Sequence, residues 1–315
     1  MKKKQWIRAA AFLALLAAAF ALLSPVFTPK DELGNIQEEP ANSLDYLAIG
    51  DSECYTSISP MQLWGDYGYV GYNCGLASQR IQDAYYRLKK TLECQTPRLV
   101  LLETNMLFRN KGVRQETVTG FDHAFGNLVG LYQYHNTWKS LFRQNRASGK
   151  AEWLKGLRYR PDCRPYTGGP YVEKTEKVQP VAAAQRFWLD RILALCRKKH
   201  IRLVLYTVPS PLCWSYAKHN GAEAYAKSHG LTLLDLNLQL DKVGIDWSKD
   251  TWDRGNHLNF SGAQKLTAYL GQWLREKGWL PDRRGEQAYA AWDREMALYL
   301  TGTGGTMQKA GGKGH

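Results

Sequence analysis

The sequence predicts a three-layer α/β domain built on a parallel sheet. Two observations carry that prediction: short apolar runs alternate with amphipathic helical stretches, and at least one run is apolar without a break. Alternation of this kind is the pattern of parallel strands covered by helices on both faces. A third observation agrees with it, since chemistry-bearing residues recur just after the runs, at the edge where open α/β sheets keep their sites.

The first predicted strand, 44–50, leads into Gly50-Asp51-Ser52. A short second strand is expected over 68–73. Residues 78–93 place Ile81, Ala84, Tyr85, Leu88 and Leu92 three or four apart, which predicts an amphipathic helix. Pro97 follows, and Arg98–Glu103 reads as a third strand whose unbroken apolar character expects burial on both faces. Over 106–180 the regularity is lost, and a helical and looped insertion above the sheet is expected. Alternation then returns: a helix over 181–199 with a basic last turn that suits its dipole, a strand over 201–208, a helix over 214–229 closed by Gly230, and a strand over 231–235. A last helix runs from Ser261 to Lys277. Residues 283–315 are expected to be a C-terminal extension ending in a flexible basic tail, and 44–282 to be the domain itself.

The amino terminus sets the expected compartment. Lys2, Lys3, Lys4 and Arg8 precede an apolar run from Ala9 to Phe27, interrupted by Ser24 and Pro25. As a helix this run spans about 28 Å, close to the hydrocarbon thickness of a bilayer. Positive charge before it predicts a cytoplasmic amino end and an extracytoplasmic domain. A transmembrane anchor over 1–27, followed by a linker over 28–43, is therefore expected. Ala19-Phe20-Ala21 offers the alternative of a cleaved signal peptide and a secreted protein.

The formal charge is +13. Basic proteins attract nucleic acid, anionic lipid or acidic polymer. No zinc-finger spacing, RNA-binding aromatic motif or basic helix with heptads is present, so nucleic acid is not an expected partner. The six cysteines form no CxxC pair, which argues against a zinc site. Cys54 and Cys74 end neighbouring predicted strands and are candidates for a bridge, but a domain of this size does not need one. Buried, inert thiols are the expectation.

A serine hydroxyl needs a base, and the base needs an orienting carboxylate. Ser52 is the candidate nucleophile. His257 lies in the loop before the last helix, at the same predicted edge, and is the candidate base. Asp253 is the nearest carboxylate, with Asp250 as the alternative. Acyl chemistry also needs donors for a developing oxyanion. The backbone N–H groups of Ser52 and Gly75 and the side-chain amide of Asn105 are the candidates. Glu103 ends the third strand beside Asn105, where it tunes the site or pairs with Arg80 or Arg109. His123, His135 and Asp122 have no metal-ligand spacing, and the glycines at 65, 68, 71 and 75 form no phosphate loop. No metal and no cofactor is expected.

These residues resemble the SGNH/GDSL hydrolase superfamily. Its first block matches Gly50-Asp51-Ser52, its glycine block matches Asn73-Cys74-Gly75, and its third block survives as Asn105. Its last block, Asp-x-x-His, is met by Asp253 and His257 with one extra residue between them. The resemblance covers roughly 44–278 and implies a flavodoxin-like strand order with no metal. The Gly50-Asp51-Ser52-Glu53 and His257-to-Ala263 strings look most like membrane-anchored bacterial members that act beside a membrane-bound O-acyltransferase. The resemblance thus implies an extracytoplasmic serine esterase or O-acyltransferase acting on acyl, above all acetyl, esters of a cell-envelope polysaccharide or related polymer. The alternative is a non-catalytic envelope scaffold that partners such an acyltransferase.

Overall fold

The computed structural model describes residues 3–27, 36, 38–109 and 152–304. The chain divides into two units, Met1–Gly34 with Lys111–Gly149, and Asn35–Asn110 with Lys150–His315. In the first, a helix α1 runs over Lys3–Phe27. Over the described residues, no helix is long and apolar enough to cross a membrane.

The second unit is built on five parallel strands: β1 Tyr46–Ile49, β2 Gly71–Asn73, β3 Leu99–Glu103, β4 Arg202–Thr207 and β5 Thr232–Asp235. Their order is β2-β1-β3-β4-β5, the doubly wound arrangement expected. Register is fixed by pairs such as Ala48 with Asn73 and Ile49 with Leu102. Every β1 and β3 residue is buried, as the unbroken apolar runs predicted.

The short α2, Ser52–Tyr55, and α3, Pro60–Tyr67, follow β1. Next come α4 Ile81–Thr91, α5 Ala183–Lys198, α6 Tyr216–His229, the short α7 Leu240–Val243 and α8 Phe260–Lys277. α4 packs on α5, and α3 packs on α8. Alternate strand residues (Tyr46, Ala48, Leu99, Leu101, Val204, Tyr206) form one core cluster with Leu63 of α3 and Leu266, Leu270 and Leu274 of α8. The residues between them, such as Leu47, Val100 and Leu205, are equally buried on the other face, as the two-residue strand period requires. Leu266, Leu270 and Leu274 stand four apart and line one side of α8.

The extension after 283 is part of the body. Its helix α9, Ala290–Thr303, packs on α3, and Trp292 is buried against Trp64 with ring centroids 5.7 Å apart. The sequence disguises this helix because its apolar residues are spread round it, exposed Leu298 among them, rather than gathered with Trp292, Met296 and Tyr299 on the buried side. Most of the expected insertion, 110–151, lies outside the described residues; its described parts hold 3-10 turns over Asn105–Phe108 and Glu152–Leu154. It continues as a strap without regular secondary structure, bonded to distant loops: Asn73 N–H to Lys155 O (2.9 Å), Arg158 N–H to Tyr55 O (2.7 Å), Phe260 N–H to Arg160 O (2.7 Å) and Arg164 N–H to Thr251 O (3.0 Å).

Because Trp292 is buried, Trp292→Ala is expected to lower the unfolding free energy by about 3–5 kcal/mol, whereas exposed Leu298→Ala should change it by less than ~0.5 kcal/mol. Urea titrations of both variants check this; an unchanged midpoint for Trp292→Ala would detach α9 from the folded body.

Candidate active site

The carboxyl ends of β1, β2 and β3 and the loop before α8 meet at one edge. β1 stops at Ile49, and Asp51 caps α2 by accepting the Glu53 N–H on Oδ1 at 2.8 Å. The other Asp51 oxygen takes Arg109 Nη2 at 2.6 Å and Asn105 Nδ2 at 3.1 Å. Asp51 is fully buried, so this paired carboxylate anchors the turn that presents Ser52.

Ser52 Oγ lies 2.7 Å from His257 Nε2, and His257 Nδ1 lies 2.6 Å from Asp253 Oδ2. The His257 backbone N–H also donates to Asp253 Oδ1 at 2.8 Å. The extra residue between Asp253 and His257 is absorbed by two consecutive left-handed residues, Arg254 (φ 66°) and Gly255 (φ 92°). Such backbone suits glycine and costs an arginine a modest strain. Thr251 braces the loop: its Oγ1 donates to His257 O and accepts from Gly255 N–H, each at 2.8 Å, and Thr251 pairs antiparallel with Leu258. Asp250 is elsewhere. It is fully buried and its oxygens take Asp246 N–H, Ser261 Oγ and Lys265 Nζ at 2.5–2.7 Å. It braces the start of α8 and does not reach His257.

The three oxyanion candidates come to this edge, but two are engaged. Gly75 N–H donates to Asn73 Oδ1 at 3.1 Å. A Cβ on Gly75 would stand 2.8 Å from Tyr55 N and 3.0 Å from Asp51 O, so the glycine is required for the close pass of this loop against the Ser52 turn. The Asn105 amide is directed at Asp51 and, at 3.4 Å, at Glu53 Oε1.

Beneath them Asp51, Glu53 and Glu103 bring carboxylate oxygens within 4.8 Å of one another. Burial pushes the Glu53 and Glu103 carboxyls well above the usual range, and the neighbouring Asp51 pushes them the same way. Glu103 accepts a short bond from the Asn105 N–H, while its Oε2 has no partner. Of the two arginines expected as alternative partners for Glu103, Arg80 and Arg109, the Arg109 guanidinium is held on Asp51. With Arg109 and Asn105 already donating into the set, and two of its carboxyls driven toward their neutral form, it suits shared protons better than a cation. A pocket of about 280 Å³ opens beside it, lined by Glu53, Glu103, Asn105, Trp214, Lys218 and His219 among others.

Several features escaped the sequence. Trp252 stacks on the His257 ring (5.8 Å, 25°), and the Arg160 guanidinium lies 4.8 Å from the Trp252 ring centre. His219 Nδ1 lies 2.8 Å from Asp235 Oδ2, a second histidine–aspartate pair with Thr207 and Trp214 on the same carboxylate. Side-chain pairs across loops leave no periodic signal. The cysteines are free thiols; Cys54 is buried and donates to Asn73 Oδ1 at 3.2 Å, so the weighed Cys54–Cys74 bridge is not made. Burial pushes the Cys74 thiol up to about 11. Asp122, His123 and His135 lie outside the described residues.

Similar solved structures include a lipase/acylhydrolase from Enterococcus faecalis (13% identity, 77% of this chain and 100% of that chain, TM-score 0.42). Another is an acetylxylan esterase from Geobacillus stearothermophilus (14% identity, 77% and 99%, TM-score 0.39), and a third is a lipolytic-type protein of the G-D-S-L family from Desulfitobacterium hafniense (16% identity, 72% and 97%, TM-score 0.40). No family model and no curated protein matches the sequence. At these scores the likeness carries nothing about mechanism or substrate, which rest on the chain's own residues.

The raised Glu53 carboxyl makes stability depend on pH. Its contribution is full below the unfolded value near 4.5 and is lost as the pH rises through the higher folded value. Glu53→Gln removes that group, so the fall in urea midpoint between about pH 5 and about pH 8 should be shallower in the variant than in the parent. Parallel pH curves would show that Glu53 is not the titrating group.

Proposed function

We propose that the protein is an SGNH/GDSL-type serine esterase or O-acyltransferase acting on acyl, above all acetyl, esters of an envelope polysaccharide or related polymer. The observation that supports this best is the continuous hydrogen-bond chain from Ser52 through His257 to Asp253. Ser52 Oγ attacks the ester carbonyl while His257 Nε2 takes its proton. Asp253 holds the other ring nitrogen and so fixes which nitrogen is free to act as base. His257 then returns the proton to the leaving alcohol, and the acyl group stays on Ser52. Water resolves it in hydrolysis; a sugar hydroxyl resolves it in transfer. Both outcomes use the same residues.

The Ser52 backbone N–H, the Gly75 N–H and the Asn105 amide are the proposed oxyanion donors. Gly75 and Asn105 must share or exchange their present acceptors when the oxyanion forms, and bonds of this kind commonly realign in the substrate complex. That engagement is the one feature favouring the second reading, a non-catalytic scaffold beside a membrane-bound acyltransferase. The lysine-flanked apolar run supports placing the domain outside the membrane on a retained anchor, with secretion after cleavage as the alternative.

Ser52→Ala is expected to lower kcat/KM on an acetyl ester by about 1,000-fold or more, and Asp253→Asn by about 100-fold or more. Asp250→Asn should act chiefly on stability. Labelling with a fluorophosphonate reads Ser52 directly. Full turnover in Ser52→Ala would remove the nucleophile, and a folded parent protein that takes no label would favour the scaffold.

A further inference from the structure

The strap over 155–166 carries three arginines, and two of them lie on rings next to the site. Arg158 lies over the Tyr55 ring, 4.9 Å from its centre, with Nη1 3.3 Å from Tyr55 Oη. Tyr55 closes the same turn that Ser52 opens. Arg160 lies on Trp252, which in turn stacks on His257. Between them Tyr159 turns away and packs edge-on against Phe260, ring centres 4.9 Å apart. Backbone bonds from Arg158 N–H to Tyr55 O and from Phe260 N–H to Arg160 O, each 2.7 Å, fix this register. One guanidinium therefore lies on the ring that closes the nucleophile's turn, and the other on the indole that stacks on the base.

Among the described residues neither has a counter-ion. The ion pairs of the described residues use Arg98, Arg109, Arg283 and Arg284, but not Arg158 or Arg160. Arg160 Nε is buried with no hydrogen-bond partner, and so is Trp252 Nε1 in the same stack. A buried donor without an acceptor is costly and is normally satisfied by something. Other arginines, such as Arg202 and Arg275, also lie on rings; Arg158 and Arg160 are the ring-held pair next to Ser52 and His257, and rings bind the flat faces and leave the N–H edges open.

We propose that Arg158 and Arg160, with the Trp252 indole N–H, form a subsite for an anionic group, phosphate or carboxylate, on the polymer whose ester reaches Ser52. The proposal rests on the serine-ester reading above and adds to it the charge of the substrate. Guanidinium edges match both anions with paired hydrogen bonds. Two such edges flanking the Ser52–His257 pair select a chain whose charges repeat next to its acyl groups. A neutral ester would leave both cations and both orphaned donors unsatisfied.

The test uses the full-length protein and separates binding from chemistry. Ser52→Ala protein is titrated with three unacylated oligosaccharides of equal length: a uronate oligomer, a phosphodiester-linked oligomer and a neutral one. At least one anionic oligomer should bind about tenfold or more tighter than the neutral one, with the preference shrinking between about 50 mM and about 500 mM salt. Arg158→Gln with Arg160→Gln should abolish the preference, while Lys277→Gln, at the far end of α8, should keep it. Which oligomer binds names the anion. In the Ser52 protein, the ratio of kcat/KM for an acetylated anionic oligomer to that for a small neutral acetyl ester should fall about tenfold or more in the double variant. Equal binding of charged and neutral oligomers, or an unchanged preference in the double variant, overturns the subsite even when ester turnover is intact. Loss of turnover and of fluorophosphonate labelling alongside arginine-dependent anion binding would instead sink the esterase reading and leave the subsite standing.

Discussion

The arrangement of this edge depends on the Asn73 side chain. Its Nδ2 donates to Cys54 O and Ile58 O, both at 2.9 Å, and its Oδ1 accepts from Cys54 Sγ and Gly75 N–H. One buried amide thus ties the end of β2 to both ends of the segment that leaves α2. A hydrophobic residue there would leave the Ile58 carbonyl and the Gly75 N–H without this partner, at about 1–3 kcal/mol for each group left unsatisfied, while Cys54 O would keep its bonds from Ser57. Ser52 is held in place less by its own contacts than by this clamp behind it and by the Asp51–Arg109 pair beneath it.

A second clamp of the same kind holds the base. Thr251 bonds across its own loop to His257 and Gly255, and Asn259 caps α8 while its amide reaches back to Lys249 O and Asp162 O. The loop between is therefore closed at both ends by buried polar side chains. That closure makes the left-handed step at Arg254 and Gly255 tolerable, because strain at two residues is set against several bonds that exist only in this conformation. The longer spacing from Asp253 to His257 is thus a change in loop length with the carboxylate–imidazole contact kept.

Strands and helices were legible because their signals are local. The unbroken apolar run of β3, spacings of three and four in α4, and Gly230 at the end of α6 each come from residues that touch their sequence neighbours. Ser52, His257 and Asp253 were legible as residue types at the ends of such elements. What the sequence hid is what depends on partners far along the chain. Arg109 on Asp51 rather than Glu103, the burial of α9 through Trp292 on Trp64, and Arg160 on Trp252 all join segments that no window spans.

The strap shows the same limit from the other side. Its residues have no periodicity, since its backbone N–H and C=O groups are satisfied by separate loops and not by a ladder of its own. A segment held this way cannot slide: moving it by one residue would break the bonds at Tyr55, Phe260 and Thr251 together and would put Tyr159 where a guanidinium now lies. The irregularity that conceals the strap in the sequence is therefore what fixes its side chains in space. Charged groups set beside a nucleophile need that fixity, because a flexible cation spends in entropy what it gains from its partner.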